Sequence, residues 1–205
     1  MSGCYERWVL PRLTDLAMRN KEVTRYRAAA IPGASGHVLE IGAGSGLNLP
    51  FYRPQVTRLY ALDPSGPLLG MAKAKPVRPP FPIEFLEANA ENIPLEAGSV
   101  DTVVTTWTLC SIPDPLKALQ EARRVLKADG ELVFVEHGLA PDFQIQKWQR
   151  RLTPLWSRFT GGCHLDRRVG ELIRTAGFRI VDLNQAYAKG PRPFSYFYRG
   201  RARVG

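Results

Sequence analysis

The feature that most constrains the fold of this chain is an apolar segment that runs directly into a glycine-rich turn. Residues 39–46 read Leu-Glu-Ile-Gly-Ala-Gly-Ser-Gly, which is the pattern of a buried strand followed by a tight turn. Glycine lets the backbone turn sharply and approach a ligand with no Cβ in the way. Asp63 ends the next apolar segment about twenty residues further on, a position from which an acid can hold ribose hydroxyls. These residues predict a nucleotide-binding site.

Strand-like and helix-like segments alternate along the chain. Apolar or β-branched segments predict five strands, at residues 37–41, 58–63, 83–86, 99–106 and 131–137. Helical spacing predicts helices over 68–75 and 116–127, with Gly130 as the C-cap of the second. Near-continuous apolar strands separated by helices indicate an α/β fold whose parallel sheet is covered on both faces.

The carboxyl ends of the predicted strands should bring the candidate ligand residues to one edge of the sheet. Ligands of parallel sheets lie beyond those ends, where the glycine turn is joined by Asp63, Asn89, Thr106 and His137. A dinucleotide site needs its third glycine three residues after the second, whereas Gly44 and Gly46 are only two apart. With Glu40 two residues before the first glycine, the segment instead resembles motif I of the class I S-adenosylmethionine-dependent methyltransferases.

That resemblance implies a Rossmann-like fold, S-adenosylmethionine as cofactor, and a role for each residue at the edge. The fold would be a seven-stranded, mostly parallel sheet with an antiparallel edge strand and helices on both faces. Glu40 would favour the ammonium group of the cofactor, Asp63 would accept from its ribose, and Asn89 would stand where the family commonly has an acid that binds adenine. An amide oxygen can still accept from the adenine amine. The residues predicted to bind the cofactor are Glu40, Gly42, Ala43, Gly44, Gly46, Asn48, Asp63, Pro64, Asn89, Ala90, Glu91, Thr106 and Trp107.

Downstream segments narrow the resemblance to one subfamily. Leu-Cys-Ser at 109–111, Glu-His-Gly at 136–138 and Gly-Gly-Cys-His at 161–164 occur in that order. Together they resemble the methyltransferase-like subfamily that includes the microsomal alkyl-thiol methyltransferases and bacterial relatives, over about residues 36 to 200. The microsomal members begin with a hydrophobic anchor, and residues 1–30 do not have that composition. The resemblance implies a small apolar acceptor, with a thiol as the first candidate and a phospholipid amine or quinone-type phenol as the second.

Transfer of a methyl group to a thiol needs alignment, exclusion of water and a deprotonated acceptor. A thiol has a pKa of about 8.5, so modest help from a base or cation is enough. His137 and His164 are the candidate bases, although each could instead be structural, for example by bonding backbone at the sheet edge. Cys110 and Cys163 are expected to be small buried side chains with no covalent role. No cluster with metal-ligand spacing is seen, so no metal is expected.

Two further segments suggest a lid and a cap on a single methyltransferase domain. Residues 1–35 form the predicted N-terminal helical lid, in which Trp8 to Arg27 would close over the cofactor, and 36–205 form the domain. A helical cap insertion is predicted at about 141–165, with Pro154 kinking or breaking its helix. The apolar and aromatic positions of that helix would cover an apolar acceptor, lie on a membrane, or pack into the protein core. Residues 193–203 alternate basic and aromatic side chains and are interpreted as a final edge strand.

The net charge of +9 comes from the last part of the chain. Residues 147–205 carry thirteen Lys/Arg against three acids, whereas residues 31–146 carry nine against thirteen. This asymmetry suggests peripheral contact with an anionic membrane, nucleic acid, an acidic substrate, or a solvated basic face without a partner. Nucleic acid is disfavoured, because Thr-Trp-Thr-Leu follows the fourth strand in place of Asn/Asp-Pro-Pro-aromatic. We expect a cytoplasmic protein with reduced thiols, peripheral at most to a membrane; its oligomeric state is not set by the sequence.

Overall fold

A computed structural model describes Tyr5, residues 9–77 and residues 79–205, so Cys4 and Trp8 lie outside the described residues. Its centre is one seven-stranded sheet. The strands are β1 (Gly36–Ile41), β2 (Val56–Leu62), β3 (Ile83–Leu86), β4 (Val100–Thr106), β5 (Leu126–His137), β6 (Phe178–Tyr187) and β7 (Tyr196–Val204). Their order in the sheet is β3-β2-β1-β4-β5-β7-β6. The point where the order reverses lies between β1 and β4, which is where ligands of doubly wound sheets bind.

The sheet is parallel except for β7, which makes two antiparallel pairings near one edge. Strands β1 to β5 pair in parallel, and β7 runs antiparallel to both β5 and β6. This confirms the predicted seven-stranded mixed sheet. The tail segment itself, however, is not the outermost strand, because β6 lies outside β7. The alternating basic and aromatic residues of β7 therefore belong to an inner strand of the sheet. The prediction of an edge position for residues 193–203 is wrong.

Six α-helices cover the sheet within the part of the chain that the structure describes. They are α1 (Leu10–Ala17), α2 (Lys21–Ala30), α3 (Gly66–Lys73), α4 (Pro115–Val125), α5 (Phe143–Phe159) and α6 (Val169–Thr175). Three of them start at a residue whose side chain makes a capping hydrogen bond, as for Asp114, which accepts from the Lys117 N–H at 3.0 Å. No helix in residues 9–77 and 79–205 has the length and apolar character needed to cross a membrane.

Strand alternation sends successive side chains into two separate apolar layers. Leu39, Val103 and Phe134 pack in the larger cluster, against α4 and α6. Their neighbours Val38 and Val104 pack on the opposite face in a second cluster, to which Ala30 of α2 contributes. A strand that is buried on both faces must be apolar at nearly every position. This explains the adjacent apolar pairs Val38–Leu39 in β1 and Val103–Val104 in β4, and the two layers confirm helices on both faces.

The end of α4 differs from the sequence prediction. The helix stops at Val125, and Leu126 already has the extended backbone that begins β5. Gly130 is therefore not a helix C-cap but lies within β5. A Cβ there would come within 3.0 Å of the carbonyl oxygen of Asp101 on the adjacent strand. The glycine is explained by this close approach of the two strands rather than by helix termination.

The cap helix α5 is continuous but buries an unexpected face. It runs through Pro154 without ending there, so of the predicted kink or break the break is wrong, although the proline removes one intrahelical donor. Its buried side chains are Gln149 and Thr153, which are polar. The aromatic and apolar positions instead face outwards, at Phe143, Trp148, Leu155, Trp156 and Phe159. Of the predicted stripe, Ile145 and Leu152 are half-buried and Ile145 packs against the larger core cluster, so only packing of the whole stripe into the core is excluded.

Candidate active site

The glycine turn after β1 exposes its backbone at the carboxyl edge of the sheet. Gly42, Gly44 and Gly46 have φ angles of 74°, 54° and 73°, a region that favours glycine. The N–H groups of Gly42 and Ala43 donate to the carbonyl oxygen of Leu62 at 2.8 and 3.0 Å, which holds the turn against β2. A Cβ built on Gly44 would meet nothing closer than 3.9 Å. The turn therefore leaves one side open to a ligand.

Asp63 lies at the end of β2, directly beside this turn. Its Oδ2 accepts from the N–H of Gly44 at 2.9 Å, and its Oδ1 accepts from the N–H of Ser65 at 2.8 Å. Burial raises the pKa of Asp63, against the opposing effect of these two hydrogen bonds. A carboxylate has about four lone-pair directions, so each oxygen can take a further donor. The geometry fits the predicted contact with two ribose hydroxyls.

Glu40 is fully buried at the end of β1, and both of its carboxyl oxygens are hydrogen-bonded. The Asn48 Nδ2 donates to Oε1 and the Tyr52 hydroxyl donates to Oε2, each at 2.8 Å. Burial raises the pKa of Glu40 to about 7, although these hydrogen bonds and the nearby charge of Arg27 favour the ionised form. Because both oxygens are enclosed, Glu40 would act on a cofactor ammonium group through its charge rather than by direct contact.

Arg27 brings a buried positive charge to the same network and was not singled out from the sequence. Its Nε donates to the Asn48 Oδ1 at 2.9 Å, and its Nη1 donates to the carbonyl oxygen of Met18 at 2.7 Å. The Asn48 Nδ2 also donates to the Thr106 Oγ1 at 2.9 Å, so Asn48 links α2, β1 and β4. Burial lowers the pKa of Arg27 to about 10, which leaves the group charged at neutral pH. The one sequence signal is helical spacing, which puts Arg27 on the same face of α2 as Val23.

Helix α1 is attached to the glycine turn by a second polar contact. The Ser45 hydroxyl donates to the Asp15 Oδ1 at 2.6 Å, and Arg19 pairs with the Asp15 Oδ2 at the same distance. The Tyr5 hydroxyl donates to the carbonyl oxygen of Phe159, at the end of the cap helix. The N-terminal helices thus lie next to both the turn and the cap, as a lid over this edge would. Their function as a lid stays a prediction.

The loop after β3 is held in place by α4. Arg124 donates to the carbonyl oxygen of Ile93 through Nη2 and to that of Leu95 through Nη1, both at 2.9 Å. The Glu121 Oε2 accepts from the N–H of Ile93 at 3.0 Å. This fixes the backbone that follows Asn89, whose side chain is exposed. Of the predicted residues next to Asn89, Ala90 is buried in the core and Glu91 accepts from the N–H of Asp114. Pro64, which follows Asp63 after β2, is exposed.

Trp107 adopts an unusual backbone at the end of β4. Its φ angle is 50°, in a region that costs a bulky residue about 1–2 kcal/mol. The carboxylate of Glu136 accepts from the N–H groups of Thr108 and Leu109 at 3.0 and 3.1 Å, which holds the turn in this shape. Arg27 lies over the Trp107 ring at 5.0 Å, and the buried Nε1 of that ring has no hydrogen-bond partner. Glu136 is a positioning residue that the strand pattern concealed, because it reads as one position in an apolar strand.

The two candidate bases occupy different environments. His137 is buried at the end of β5, with one ring nitrogen hydrogen-bonded to the backbone of Pro193 and its Nε2 without a partner. Since proline offers only a carbonyl, the other nitrogen is the donor, and Nε2 carries a free lone pair. Burial lowers the pKa of His137, so the ring is neutral at pH 7. His164 is half-buried, and its backbone N–H donates to the carbonyl oxygen of Cys110 at 2.8 Å.

Two surface cavities lie elsewhere on the molecule. One of about 360 Å³ lies between the segment after β5 and α6, and another of about 370 Å³ lies beside α3 and β3. Neither is lined by Asp63 or by the glycine turn, so the candidate site rests on polar geometry rather than on cavity size. Across residues 9–77 and 79–205, no group of three or more His, Cys, Asp or Glu side chains is placed to hold a metal ion.

Comparison with known proteins supplies the family. The family described as "Methyltransferase domain" matches residues 39–134. Thiol S-methyltransferase TMT1B of Rattus norvegicus is 37% identical over 182 residues, which cover 85% of this chain and 72% of that protein. Thiol S-methyltransferase TMT1A of Homo sapiens is 31% identical over 180 residues, or 85% of this chain and 73% of that protein. This chain belongs to the class I S-adenosylmethionine-dependent methyltransferases. It is an enzyme of that class, as predicted.

The fold of this methyltransferase agrees with solved structures. A methyltransferase chain from the complex with the Haloferax volcanii Trm112 activator superposes with a TM-score of 0.73. The match covers 98% of this chain and 97% of that one at 18% identity, which shows the shared fold and no more. The cofactor of this methyltransferase is S-adenosylmethionine, and the open glycine turn and the partly satisfied Asp63 carboxylate fit its nucleoside. The contacts of the individual cofactor-binding residues stay predictions.

Proposed function

We propose that the protein transfers a methyl group from S-adenosylmethionine to the sulfur of a small apolar thiol. The structural observation that carries the proposal is the free Nε2 of His137, a buried neutral base at the carboxyl edge of the sheet. Thiol S-methyltransferases at 37% and 31% identity support the choice of sulfur as the acceptor atom. A phospholipid amine or a quinone-type phenol is the alternative acceptor, and it becomes an outcome of the test.

Each residue of the site has a task in this reaction. The backbone of the glycine turn and Asp63 bind the nucleoside, while Glu40 and Arg27 present one negative and one positive charge to the amino-acid end of the cofactor. When bound, S-adenosylmethionine supplies a methyl group on a good leaving group, so no further activation of the donor is needed. His137 takes the thiol proton on Nε2, and its hydrogen bond to Pro193 keeps that nitrogen unprotonated beforehand. His164 is the second candidate for this proton.

The outward-facing side chains of the cap suggest where an apolar acceptor comes from. We define the cap surface as the exposed apolar side chains of α5 and α1, namely Phe143, Trp148, Leu155, Trp156, Phe159, Leu13 and Leu16. Helix α5 also carries four Lys/Arg and no acid, and Lys147 lies over the Phe143 ring at 4.5 Å. A helix with this composition is suited to the interface of an anionic bilayer, where apolar thiols concentrate. We propose that the cap surface contacts such a bilayer.

Turnover on an acceptor panel tests the proposed reaction. Purified protein with S-adenosylmethionine is offered an alkyl thiol, hydrogen sulfide, phosphatidylethanolamine vesicles, a quinol and an RNA oligomer, and S-adenosylhomocysteine is measured by mass spectrometry. We expect turnover with the alkyl thiol. Turnover on vesicles, quinol or RNA without thiol turnover would replace the proposed acceptor.

Variants at the two histidines test the proposed base. With an active thiol, His137→Ala should lower kcat at least tenfold, and more at pH 7 than at pH 9, where the thiol ionises unaided. His164→Ala is the matched comparison, since the two residues are the competing candidates. Equal loss at both pH values would remove His137 from the proton transfer.

A further inference from the structure

Cys110 and Cys163 bring two thiols together from distant parts of the chain. Cys110 lies in the turn after β4 and Cys163 in the turn after α5, and their Sγ atoms are 3.5 Å apart. The backbone N–H of His164 donates to the carbonyl oxygen of Cys110 at 2.8 Å. A Cβ on Gly162 would lie 3.1 Å from the carbonyl oxygen of Ser111, so the two turns touch through their backbones. Both sulfurs are therefore held facing each other.

The surroundings make the two thiols unequal. Cys110 is buried, whereas Cys163 is partly accessible. The contact with the Cys110 thiol, the hydrogen bond of the Trp156 side chain and the charge of Arg167 lower the pKa of Cys163, against the opposing effect of burial. The contact with Cys163 together with burial raises the pKa of Cys110. A partly accessible thiol of lowered pKa beside a buried thiol of raised pKa is the arrangement of an attacking and a resolving cysteine in thiol–disulfide exchange.

A hydrogen bond holds Arg167 where its charge acts on Cys163. Its Nη1 donates to the carbonyl oxygen of Leu109, immediately before Cys110. The other charged or titratable groups whose interactions reach the pair are Glu136 and His137. His137 is neutral at pH 7, so Arg167 is the cation that favours a thiolate at this place.

We propose that Cys110 and Cys163 form a reversible intramolecular disulfide by exchange with small-molecule disulfides such as oxidised glutathione. The Cys163 thiolate attacks one glutathione sulfur, the glutathione S–S bond breaks, and one glutathione leaves as thiolate. Cys110 then loses its proton and attacks the Cys163 Sγ, which expels the second glutathione. The protein loses two hydrogen atoms, and the small disulfide gains them as two thiols. The Sγ atoms must approach by about 1.5 Å to reach a bond of about 2.05 Å.

The disulfide would join the turn after α5 to the turn after β4, which begins at Trp107. Oxidation would therefore fix the C-terminal end of α5 against the end of β4. The exchange reaction is a property of this chain's own thiols and does not rest on the identity of the acceptor. Its test therefore needs no turnover, and the proposed methyl transfer can fail without affecting it.

Intact-mass measurement in glutathione redox buffers tests the pair. We use the full chain with Cys4→Ser as background, so that only the two described cysteines report. After equilibration, acid quenching and alkylation, the oxidised protein should lose both alkylation sites together and retain no glutathione. Alkylation of both cysteines in the most oxidising buffer would overturn the proposal, as would a glutathione adduct that persists in this background. The oxidised form should also melt several degrees higher than the reduced form.

Single variants separate the attacking from the resolving cysteine. Cys110→Ser should accumulate one stable glutathione adduct on Cys163, because nothing remains to resolve it. Cys163→Ser should react with oxidised glutathione at least tenfold more slowly, because Cys110 is buried and protonated. Equal rates in the two variants would contradict the assigned roles. Their melting temperatures under reducing conditions show whether each variant is folded. Whether the disulfide forms is decided by the Cys4→Ser protein alone.

Discussion

At the residue scale, the carboxylate of Asp63 should dominate cofactor binding. Each oxygen already accepts one backbone N–H and has lone pairs left for a further donor. We expect Asp63→Ala to weaken S-adenosylhomocysteine binding by more than tenfold, since hydrogen bonds to a charged group contribute about 1.5–3 kcal/mol. Isothermal titration calorimetry measures this. Asp182→Ala, at an exposed position in the edge strand β6, is the control; a similar loss in both variants would show a general effect on the protein.

Glu40 should make stability depend on pH in an unusual direction. Its pKa is raised to about 7 in the folded state, whereas an unfolded glutamate titrates near 4.5. Between these values the folded state binds the proton more tightly, so the contribution of Glu40 to stability falls as pH rises. The expected fall is about 3 kcal/mol at most, given 1.36 kcal/mol per pKa unit. Chemical unfolding at pH 5 and pH 7.5 should show this dependence in the native protein and its loss in Glu40→Gln. Parallel pH dependence in the two proteins would contradict it.

At the scale of elements, Gln149 fastens the cap helix to the domain. Its side chain is completely buried, accepts from the N–H of Ala140 and donates to the carbonyl oxygens of Gly138 and Pro193, at 3.0 to 3.2 Å. Gln149→Ala removes the side-chain partner of the Ala140 N–H and the Gly138 carbonyl, while the Pro193 carbonyl keeps His137, so we expect a loss of about 3 kcal/mol in the free energy of unfolding. Gln146→Ala, which removes one bond on the half-buried side of the same helix, should cost about 1 kcal/mol. Urea denaturation compares them, and equal losses would rule out this fastening role.

The elements also show which parts of the site could be predicted from sequence. β1, the glycine turn and Asp63 carry local signals, namely apolar strands, glycines with positive φ and an acid at a strand end. The sequence assigns no role to Arg27 or Gln149 and shows Glu136 only as part of a subfamily segment, because their importance comes from partners far along the chain. Each is a polar residue within an apolar or amphipathic pattern, and only the tertiary structure shows the backbone or carboxylate that it meets. For the same reason the sequence does not decide whether the aromatic stripe of α5 is exposed, since periodicity defines a helix face without showing what covers it.

At the scale of the whole molecule, the cap surface and the positive charge should act together on membranes. We expect the protein to sediment with phosphatidylglycerol vesicles and much less with phosphatidylcholine vesicles, and to be released by salt. The double variant Leu155→Glu/Phe159→Glu should bind at least tenfold more weakly, because both side chains are more than half exposed on the cap surface. Val181→Glu is the matched control, since Val181 is comparably exposed on the edge strand β6. Equal binding to both lipids, or by both variants, would refute the proposed contact.

The position of β7 has a consequence for how the chain folds. β6 is made before β7, yet its partner in the sheet is β7, and β7 in turn lies against β5. Until residues 196–204 are available, β5 and β6 each present an unpaired row of backbone groups, a condition that invites association with other chains. Closing the sheet also joins residues about seventy positions apart, such as Glu131 and Arg203, and such distant pairings form slowly. Synthesis of the last strand should therefore mark the step at which nascent chains become resistant to aggregation and proteolysis.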